Sequence, residues 1–207
     1  MTRDREFVRT VIKNEGDKAE LRRSFLAVRA GLTIDDRAVA EAALARRALG
    51  LPELAEAGTV AAYVSVGSEP GTRALLDALR ERGVRVLLPV LLPDNDLDWA
   101  RYDGPGHLVR ASRGLLEPDG ERLGVHAVTG ADAVLLPGLA VDVRGLRLGR
   151  GGGSYDRVLA RLSGRTPARV VLLYDSEVVA EVPAEPHDQP VDAAVTPSGV
   201  RRFLGAR

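Results

Sequence analysis

Two helical patterns follow the polar start of the chain. From Lys18 onward, apolar residues recur at spacings of three and four, which predicts a helix with one apolar stripe. The stripe consists of Leu21, Phe25, Val28 and Leu32. Lys18 and Arg22 stand one turn apart on this helix. Thr33, with Asp36 three positions later, predicts the capped start of a second helix that ends before Pro52.

Downstream of the second helix the hydrophobic period changes. Residues 59–66 form a short apolar, β-rich run, residues 72–83 have a helical pattern ending on glycine, and residues 84–92 are again apolar. Strand, helix and strand within about thirty residues form a βαβ unit, which favours a parallel sheet with a ligand crevice at the carboxyl ends of its strands. The loop holding Ser68 and Glu69 lies at such an end.

The remaining segments extend this alternation of strands and helices. Further buried strands are predicted over 132–138, 168–174 and 191–195. A helix is predicted over 155–162, and a last helix is expected to open at Thr196 and Pro197. The stretch 93–130, rich in Asp, Gly and Pro, is typical of small antiparallel strands and loops.

Length and composition fit one domain. The chain has 207 residues and is 45% hydrophobic, which is enough for one well-buried core. We therefore expect a single α/β domain over residues 18–207, with a mostly parallel central sheet flanked by helices. The polar residues 1–17 are expected to form a flexible N-terminal arm.

Charge and cysteine content exclude several classes of function. Lys+Arg and Asp+Glu both number 29, so no global field attracts nucleic acid or an anionic membrane, and any bound anion needs a local site. The absence of cysteine excludes disulfides, thiolate nucleophiles and Cys-ligated metals, and it fits a reducing cytoplasm. No apolar run approaches the ~20 residues of a membrane helix, so we expect a soluble cytoplasmic protein.

The glycine-rich loop in the segment 136–157 carries the most chemical information. Four of its glycines, Gly149, Gly151, Gly152 and Gly153, are flanked by Arg147 and Arg150 and run directly into a helix. Bare backbone N–H groups and a helix N-terminus form an anion cradle, and arginines add forked hydrogen bonds to phosphate oxygens. The alternative is a flexible linker. The loop matches neither the P-loop nor the Rossmann fingerprint.

Asp156 lies in the first turn of the helix that follows the loop. A carboxylate there could hold a Mg²⁺ ion that bridges phosphates. The alternative is that Asp156 simply complements the positive end of the helix dipole.

The loop sequence LPGLAVDVRGLRLGRGGGSYDR resembles the signature of the 5-formyltetrahydrofolate cyclo-ligase family, also called 5,10-methenyltetrahydrofolate synthetase. Further family features appear in order along the chain. They are the Lys18/Arg22 pair, Tyr63 and Glu69 at a strand end, the Glu117-Pro118 turn, and the late segment with His187, Asp188, Asp192, Val195 and Thr196. The resemblance covers nearly everything from Lys18 onward and implies a single domain with a Rossmann-like sheet.

The resemblance also implies an activity. Family members convert 5-formyltetrahydrofolate to 5,10-methenyltetrahydrofolate with ATP and Mg²⁺, releasing ADP and phosphate, and the resemblance allows a monomer. Mg²⁺ ligands would be Asp156 and Asp188, and the expected catalytic residues are Lys18 and Arg150. The residues implied in ATP binding are Lys18, Arg22, Arg147, Leu148, Gly149, Arg150, Gly151, Gly152, Gly153, Ser154 and Tyr155.

Folate binding is expected at a second group of residues. Glu69 would accept hydrogen bonds from the amino and ring N–H groups of the pterin, although an exposed turn acid is the alternative. The implied substrate-binding residues are Tyr63, Glu69, Trp99, Ser154 and Tyr155. Trp99 and Tyr155 are candidates for ring stacking, with core packing as the alternative.

Three positions depart from the usual family pattern. Ser154 replaces the first of two tyrosines, Val141 stands where an aromatic is common, and Pro70 follows Glu69 where a β-branched residue is usual. The competing functions are a folate- or nucleotide-binding protein without turnover, and a relative of sugar-phosphate isomerases or CoA-transferases that needs neither ATP nor Mg²⁺.

Overall fold

The computed structural model describes residues 18–162, 164, 167–186 and 188–203. The predicted arm at residues 1–17 lies outside this part of the chain. The helices are α1 (Lys18–Ala30), α2 (Ile34–Ala48), α3 (Pro52–Ala55), α4 (Arg73–Glu81) and α5 (Ser154–Arg161). The strands are β1 (Thr59–Ala61), β2 (Arg85–Leu91), β3 (Leu97–Arg101), β4 (Leu108–Arg110), β5 (Leu116–Pro118), β6 (Ala133–Pro137), β7 (Ala140–Val141), β8 (Arg147–Leu148), β9 (Ala168–Leu172), β10 (Ala193–Val195) and β11 (Val200–Arg202).

Seven of these strands form one central sheet, in the order β11-β10-β9-β6-β1-β2-β3. The five inner strands run parallel, and the edge strands β3 and β11 are antiparallel to their neighbours. The expected α/β fold with a mostly parallel, helix-flanked sheet is therefore confirmed, as is the βαβ unit formed by β1, α4 and β2. Two small antiparallel ladders, β4 with β5 and β7 with β8, lie outside the sheet.

The inner strands are buried on both faces. Along β6, Ala133 and Leu135 belong to the apolar layer shared with α2 and α4, whereas Val134 and Leu136 belong to the layer shared with α5. This alternation follows from the two-residue period of a strand. Parallel strands covered on both faces read as continuous apolar runs, which is why these segments were recognisable in the sequence.

Strand order reverses between β1 and β6. From β1 the chain proceeds outward through β2 to β3, and after returning to β6 it proceeds the other way through β9, β10 and β11. At such a point, the loops that follow the two neighbouring strands run in opposite directions and leave a crevice at the carboxyl ends of the strands. The loop with Glu69 follows β1, and the glycine-rich loop follows β6, so the topology places both at this crevice.

The start of the second helix is confirmed. Thr33 is the N-cap of α2, where its side chain accepts from the backbone N–H of Asp36 while the Asp36 carboxylate accepts from the Thr33 backbone. This reciprocal pair is a capping box.

Two expectations from the hydrophobic pattern are wrong. Val28 was assigned to the buried stripe of α1 but is 52% exposed, because the buried face of that helix is centred on Arg29 instead. The segment after Thr196 is a strand, β11, and not a helix. The backbone of Thr196 and Gly199 closes a tight turn that returns the chain along the edge of β10. A turn with Pro and Gly fits either outcome locally, and pairing with β10 decides between them.

No helix in the described part of the chain is both long and apolar enough to cross a membrane.

Candidate functional site

A cleft of about 320 Å³ opens between the loops that follow β1 and β6. The cleft walls include the Glu69 loop, the glycine-rich loop, the first turn of α5, and part of the β4–β5 hairpin. Sequence-predicted residues that line it are Tyr63, Glu69, Arg147, Gly149, Arg150, Gly151, Gly152, Gly153, Ser154, Tyr155 and Asp156. The structure thus gathers most of the expected residues into one depression.

Glu69 is held at the bottom of the loop after β1. Its Oε2 atom accepts the backbone N–H of Val66 at 2.9 Å, and Arg150 Nε lies 3.2 Å from Oε1. Only 8% of the side chain is exposed. Burial raises the pKa of the Glu69 carboxyl, although the Val66 hydrogen bond and the charges of Arg150 and Arg29 act against that shift. The alternative of an exposed turn acid does not fit this position.

Two tyrosines stand beside Glu69. The hydroxyl of Tyr63 is buried and has no hydrogen-bond partner among the described residues. Burial raises the pKa of Tyr63 and of Tyr155 well above the ordinary value, so both remain protonated donors at neutral pH. A buried hydroxyl without a partner is costly in a ligand-free site, and a bound polar ligand can remove that cost.

The glycine-rich loop is shaped by arginines packed on its backbone. A Cβ atom at Gly149 would lie 2.7 Å from Arg147 Nη1, and one at Gly151 would lie 3.3 Å from the guanidinium carbon of Arg22. Gly151 and Gly153 also have positive φ angles, of 93° and 76°. Gly153 is the N-cap of α5 and supplies no side-chain cap, so the first N–H groups of that helix lack a side-chain partner at the cap.

Arg147 is the central cation of the site. Its side chain is 4% exposed, Nη1 donates to the Pro137 carbonyl at 3.1 Å, and Nη2 donates to Asp156 Oδ1 at 2.6 Å. Nε is buried without a partner among the described residues. Burial lowers the pKa of Arg147, while the negative charges of Asp156 and Asp188 oppose that shift. Arg147 therefore keeps an unused donor in a largely dry environment.

Helix α1 carries three cations on the face that it turns toward the segments around the cleft. Positions 18, 22 and 29 fall on one helical face because separations of four and eleven residues are close to whole turns. Lys18 Nζ lies 2.9 Å from Asp188 Oδ2 and 3.2 Å from Glu185 Oε1, and Arg22 Nε donates to the Gly149 carbonyl at 2.9 Å. These two residues, with Asp188, lie beside the loop and do not line the cleft itself.

The third cation, Arg29, was missed by sequence reasoning. It is 1% exposed and donates through Nε and Nη2 to Glu177 at 2.6 and 2.8 Å, and through Nη2 to the Gly138 carbonyl at 2.6 Å. Its guanidinium also lies 5.6 Å from the centroid of the Tyr174 ring. Because 148 residues separate Arg29 from Glu177, no local sequence motif indicates that they form a pair.

The expected metal ligands, Asp156 and Asp188, are both engaged with cations. Asp156 pairs with Arg147, and Asp188 pairs with Lys18. In the described residues no group of three or more His, Asp or Glu side chains could hold a metal ion by itself. Asp156, which pairs with Arg147, and Asp188, whose charge acts on Arg147, nevertheless match in number the usual protein share of a Mg²⁺ site, in which phosphate and water supply the other oxygens.

Two expected contacts do not fit the structure. Trp99 is fully buried in the core layer that includes Val134 and Leu136, and it does not line the cleft, so core packing is the role its position supports. The side chain of Leu148 is 1% exposed and packs in a small cluster next to α1, so only its backbone faces the loop.

The three departures from the family pattern differ in their positions. Ser154 is the first residue of α5 and lines the cleft. Val141 and Pro70 are buried and do not line it.

Glu117, named only as part of a turn motif, lines the cleft and accepts the Leu91 N–H at 3.0 Å. His187 lies outside the described residues.

Comparisons with known proteins identify the family of this sequence. The sequence model of the 5-formyltetrahydrofolate cyclo-ligase family matches residues 14–197. A Mycolicibacterium smegmatis protein named 5-formyltetrahydrofolate cyclo-ligase is 48% identical over 144 residues, which are 67% of this chain and 73% of the relative. The Escherichia coli K12 protein of the same name is 35% identical over 158 residues, covering 75% of this chain and 87% of that protein.

Solved structures agree with the sequence comparison. The NMR structure of Aquifex aeolicus 5,10-methenyltetrahydrofolate synthetase superposes with a TM-score of 0.76 at 30% identity, covering 92% of this chain and 94% of that one. The corresponding Mycoplasma pneumoniae protein superposes with a TM-score of 0.69 at 19% identity, covering 88% of this chain and 99% of that one, which supports the fold alone.

Removal of the buried cation tests how the site is held. We expect Arg29→Met to lower the free energy of unfolding by about 3–5 kcal/mol, because it leaves the Glu177 carboxylate buried without its counter-ion. The double variant Arg29→Met/Glu177→Gln keeps an acceptor for the Tyr174 N–H but removes the charge, and it should recover at least ~1 kcal/mol of that loss. Urea denaturation measures both. Equal stability of the single and double variants would contradict the assignment.

Proposed function

Because the chain belongs to the 5-formyltetrahydrofolate cyclo-ligase family, we propose that its cleft converts 5-formyltetrahydrofolate to 5,10-methenyltetrahydrofolate, using ATP and Mg²⁺ and releasing ADP and phosphate. One observation carries the proposal beyond the family name. A buried carboxylate with a tyrosine hydroxyl beside it faces a glycine-rich, arginine-bearing loop across a single cleft. That arrangement suits a substrate rich in N–H donors placed next to a polyphosphate.

Phosphate binding is assigned to the loop and to the cations beside it. Arg147 has a buried unused donor, Arg150 is half-exposed at the cleft, and Lys18 and Arg22 approach from α1. Backbone N–H groups at the start of α5 add the positive end of a helix. Lys18 and Arg150 are the proposed catalytic residues. The ammonium group of Lys18 and the guanidinium group of Arg150 can together neutralise negative charge on the transferring phosphoryl group.

Folate binding is assigned to the opposite wall. The Glu69 carboxylate can accept two parallel hydrogen bonds from neighbouring N–H groups of a pterin ring. Tyr63 offers an unpaired hydroxyl, and Tyr155 and Ser154 border the same space. Ser154 is smaller than the tyrosine that is usual at this family position, so the pocket next to Tyr155 has room for a wider group.

The proposed chemistry needs positioning more than covalent help from the protein. The formyl oxygen attacks the γ-phosphorus of ATP and ADP leaves. N10 of the folate then attacks the activated carbon, loses its proton, and phosphate departs with the former formyl oxygen. Each step joins groups that the cleft holds side by side, so the gain comes from orientation and from cations placed where negative charge moves.

Magnesium binding is assigned to Asp156 and Asp188. When bound, Mg²⁺ would neutralise the phosphates and draw electron density from the transferred group. Without ligands both acids neutralise the cations that would contact phosphate. Exchange of Arg147 and Lys18 from carboxylates to phosphate oxygens would release Asp156 and Asp188 for the metal, so each of these four charged groups would keep a partner of opposite charge.

The proposal also includes a cytoplasmic location and action as a monomer. All the groups named above come from one chain, so a second copy is not needed to complete the cleft.

Turnover is the first test of the proposal. On mixing the protein with 5-formyltetrahydrofolate, ATP and Mg²⁺, we expect the absorbance of the methenyl product to grow, and omission of any one component should abolish growth. ATP binding without growth would instead indicate a binding protein without turnover. Growth without ATP would contradict phosphoryl activation and favour a chemistry closer to the isomerase and transferase relatives.

The metal assignment is tested by Asp156→Asn. We expect the Mg²⁺ concentration for half-maximal turnover to rise roughly tenfold or more, because a charged oxygen ligand is lost. Asp94→Asn is the matched control, since Asp94 is likewise paired with an arginine, Arg157 on α5, but is exposed and does not line the cleft. An unchanged Mg²⁺ requirement in Asp156→Asn would remove this residue from the metal site.

The role of Glu69 predicts a pH dependence. Glu69 accepts hydrogen bonds from folate as a carboxylate, so affinity is present above its pKa and is lost as pH falls through it. Since burial raises this pKa, the loss should begin above the pH at which an ordinary glutamate titrates. Arg150→Gln removes a charge that lowers the Glu69 pKa, and should therefore move the acid midpoint of folate affinity upward.

Titration calorimetry without ATP, from neutral to acidic pH, measures this midpoint directly. Arg157→Gln removes a half-exposed arginine outside the cleft and should leave the midpoint unchanged. A midpoint that is the same in wild type and Arg150→Gln would show that another group controls folate affinity.

A further inference from the structure

The β4–β5 turn brings an arginine to the wall of the cleft. The Leu115 N–H donates to the Ser112 carbonyl at 3.1 Å, and the two residues between them, Arg113 and Gly114, have φ angles of 57° and 74°. Positive φ at both central positions is typical of a type I′ turn, which prefers Asn-Gly or Asp-Gly. Arginine is an unfavourable residue for the first of these positions, so turn formation does not explain Arg113.

Arg113 also differs from the other cleft arginines in its partners. Arg113, Arg147 and Arg150 all line the cleft. Arg147 pairs with Asp156 and Arg150 pairs with Glu69. Within residues 18–162 and the later described segments, Arg113 has neither a hydrogen bond nor an ion pair, and it is exposed. It is therefore a free cation at the cleft, open to an anionic ligand group.

Topology separates this cation from the phosphate-binding region. Strand β5 lies against the carboxyl end of β2, where Glu117 accepts the Leu91 N–H. In the sheet, β2 and β6 lie on opposite sides of β1. Along the crevice the order is thus the glycine-rich loop, the Glu69 loop, and the hairpin with Arg113. A ligand whose pterin edge is held at Glu69 has its reacting nitrogens in the middle and its tail at the far end, and Arg113 lines the same cleft on an element separate from the phosphate-binding loop.

We propose that Arg113 binds a carboxylate of the glutamate tail of the folate substrate. The inference rests on the proposed function, because 5-formyltetrahydrofolate has a pterin at one end and a glutamate with two carboxylates at the other. A guanidinium matches a carboxylate with two parallel hydrogen bonds. Leu115 and Leu116, which also line the cleft, offer apolar surface to the aminobenzoyl ring between the two ends.

The variant Arg113→Asn separates binding from folding, since it removes the charge and supplies the residue that the turn prefers. We expect the KM for 5-formyltetrahydrofolate to rise about fivefold, the effect of losing one solvent-exposed ion pair. The KM for ATP should stay the same, and the melting temperature should stay the same or rise. With 5-formyltetrahydropteroyl amide, which lacks the glutamate and has no carboxylate, wild type and variant should have equal KM values.

Arg110→Asn is the matched control, because it removes the same charge from an exposed position of the same hairpin outside the cleft. An equal loss in that variant, or an unchanged folate KM in Arg113→Asn, overturns the inference and leaves the proposed function standing. A rise in the KM for ATP, or an equal loss with the pteroyl amide, also overturns it. Wild-type protein that neither binds nor converts 5-formyltetrahydrofolate overturns both. Arg113→Gly, which suits the same φ, gives a second variant with the same expectations.

Discussion

Arg29 is a fully buried cation, and its contacts join three distant parts of the chain. It extends from α1 to Glu177 beyond β9 and to the Gly138 carbonyl at the start of the loop after β6. Glu177 in turn accepts the backbone N–H of Tyr174 at 2.9 Å. Removing either charge alone would leave the other unpaired in a dry environment, so helix and loop are constrained to one relative position. From the same helical face as Arg29, Arg22 reaches the Gly149 carbonyl of the glycine-rich loop and Lys18 reaches Asp188.

Charge balance within the ligand-free site follows from this anchoring. Except for Arg113, the cations at or behind the cleft have anionic or carbonyl partners: Asp188 and Glu185 for Lys18, Gly149 for Arg22, Asp156 for Arg147, Glu69 for Arg150. Buried charges without such partners would cost several kcal/mol each. In the ligand-free protein the cations of the proposed phosphate site are thus neutralised by acids, and two of these, Asp156 and Asp188, are the proposed metal ligands.

Local patterns in the sequence were sufficient for features that local physics decides. The capping box at Thr33, the helix over 72–83 and the buried parallel strands depend on a few neighbouring residues, and the structure contains them. Contacts across the fold could not be seen in this way. Val28 is exposed because α1 turns the face that carries Arg29 toward Glu177. The segment after Thr196 is a strand because it pairs with β10. Most residues of the cleft could be identified because they belong to sequence motifs. Arg29 and Arg113 belong to no such motif, so the sequence did not indicate their roles.

The glycines of the loop have a second physical role that the sequence motif did not indicate. Bare backbone was expected to leave N–H groups open to phosphate. In the structure the absence of Cβ atoms at Gly149 and Gly151 first makes room for the guanidinium groups of Arg147 and Arg22. A side chain at position 149 would displace the Arg147 guanidinium, and one at position 151 would press on that of Arg22. Glycine at these two positions therefore lets the cations lie directly on the backbone of the loop.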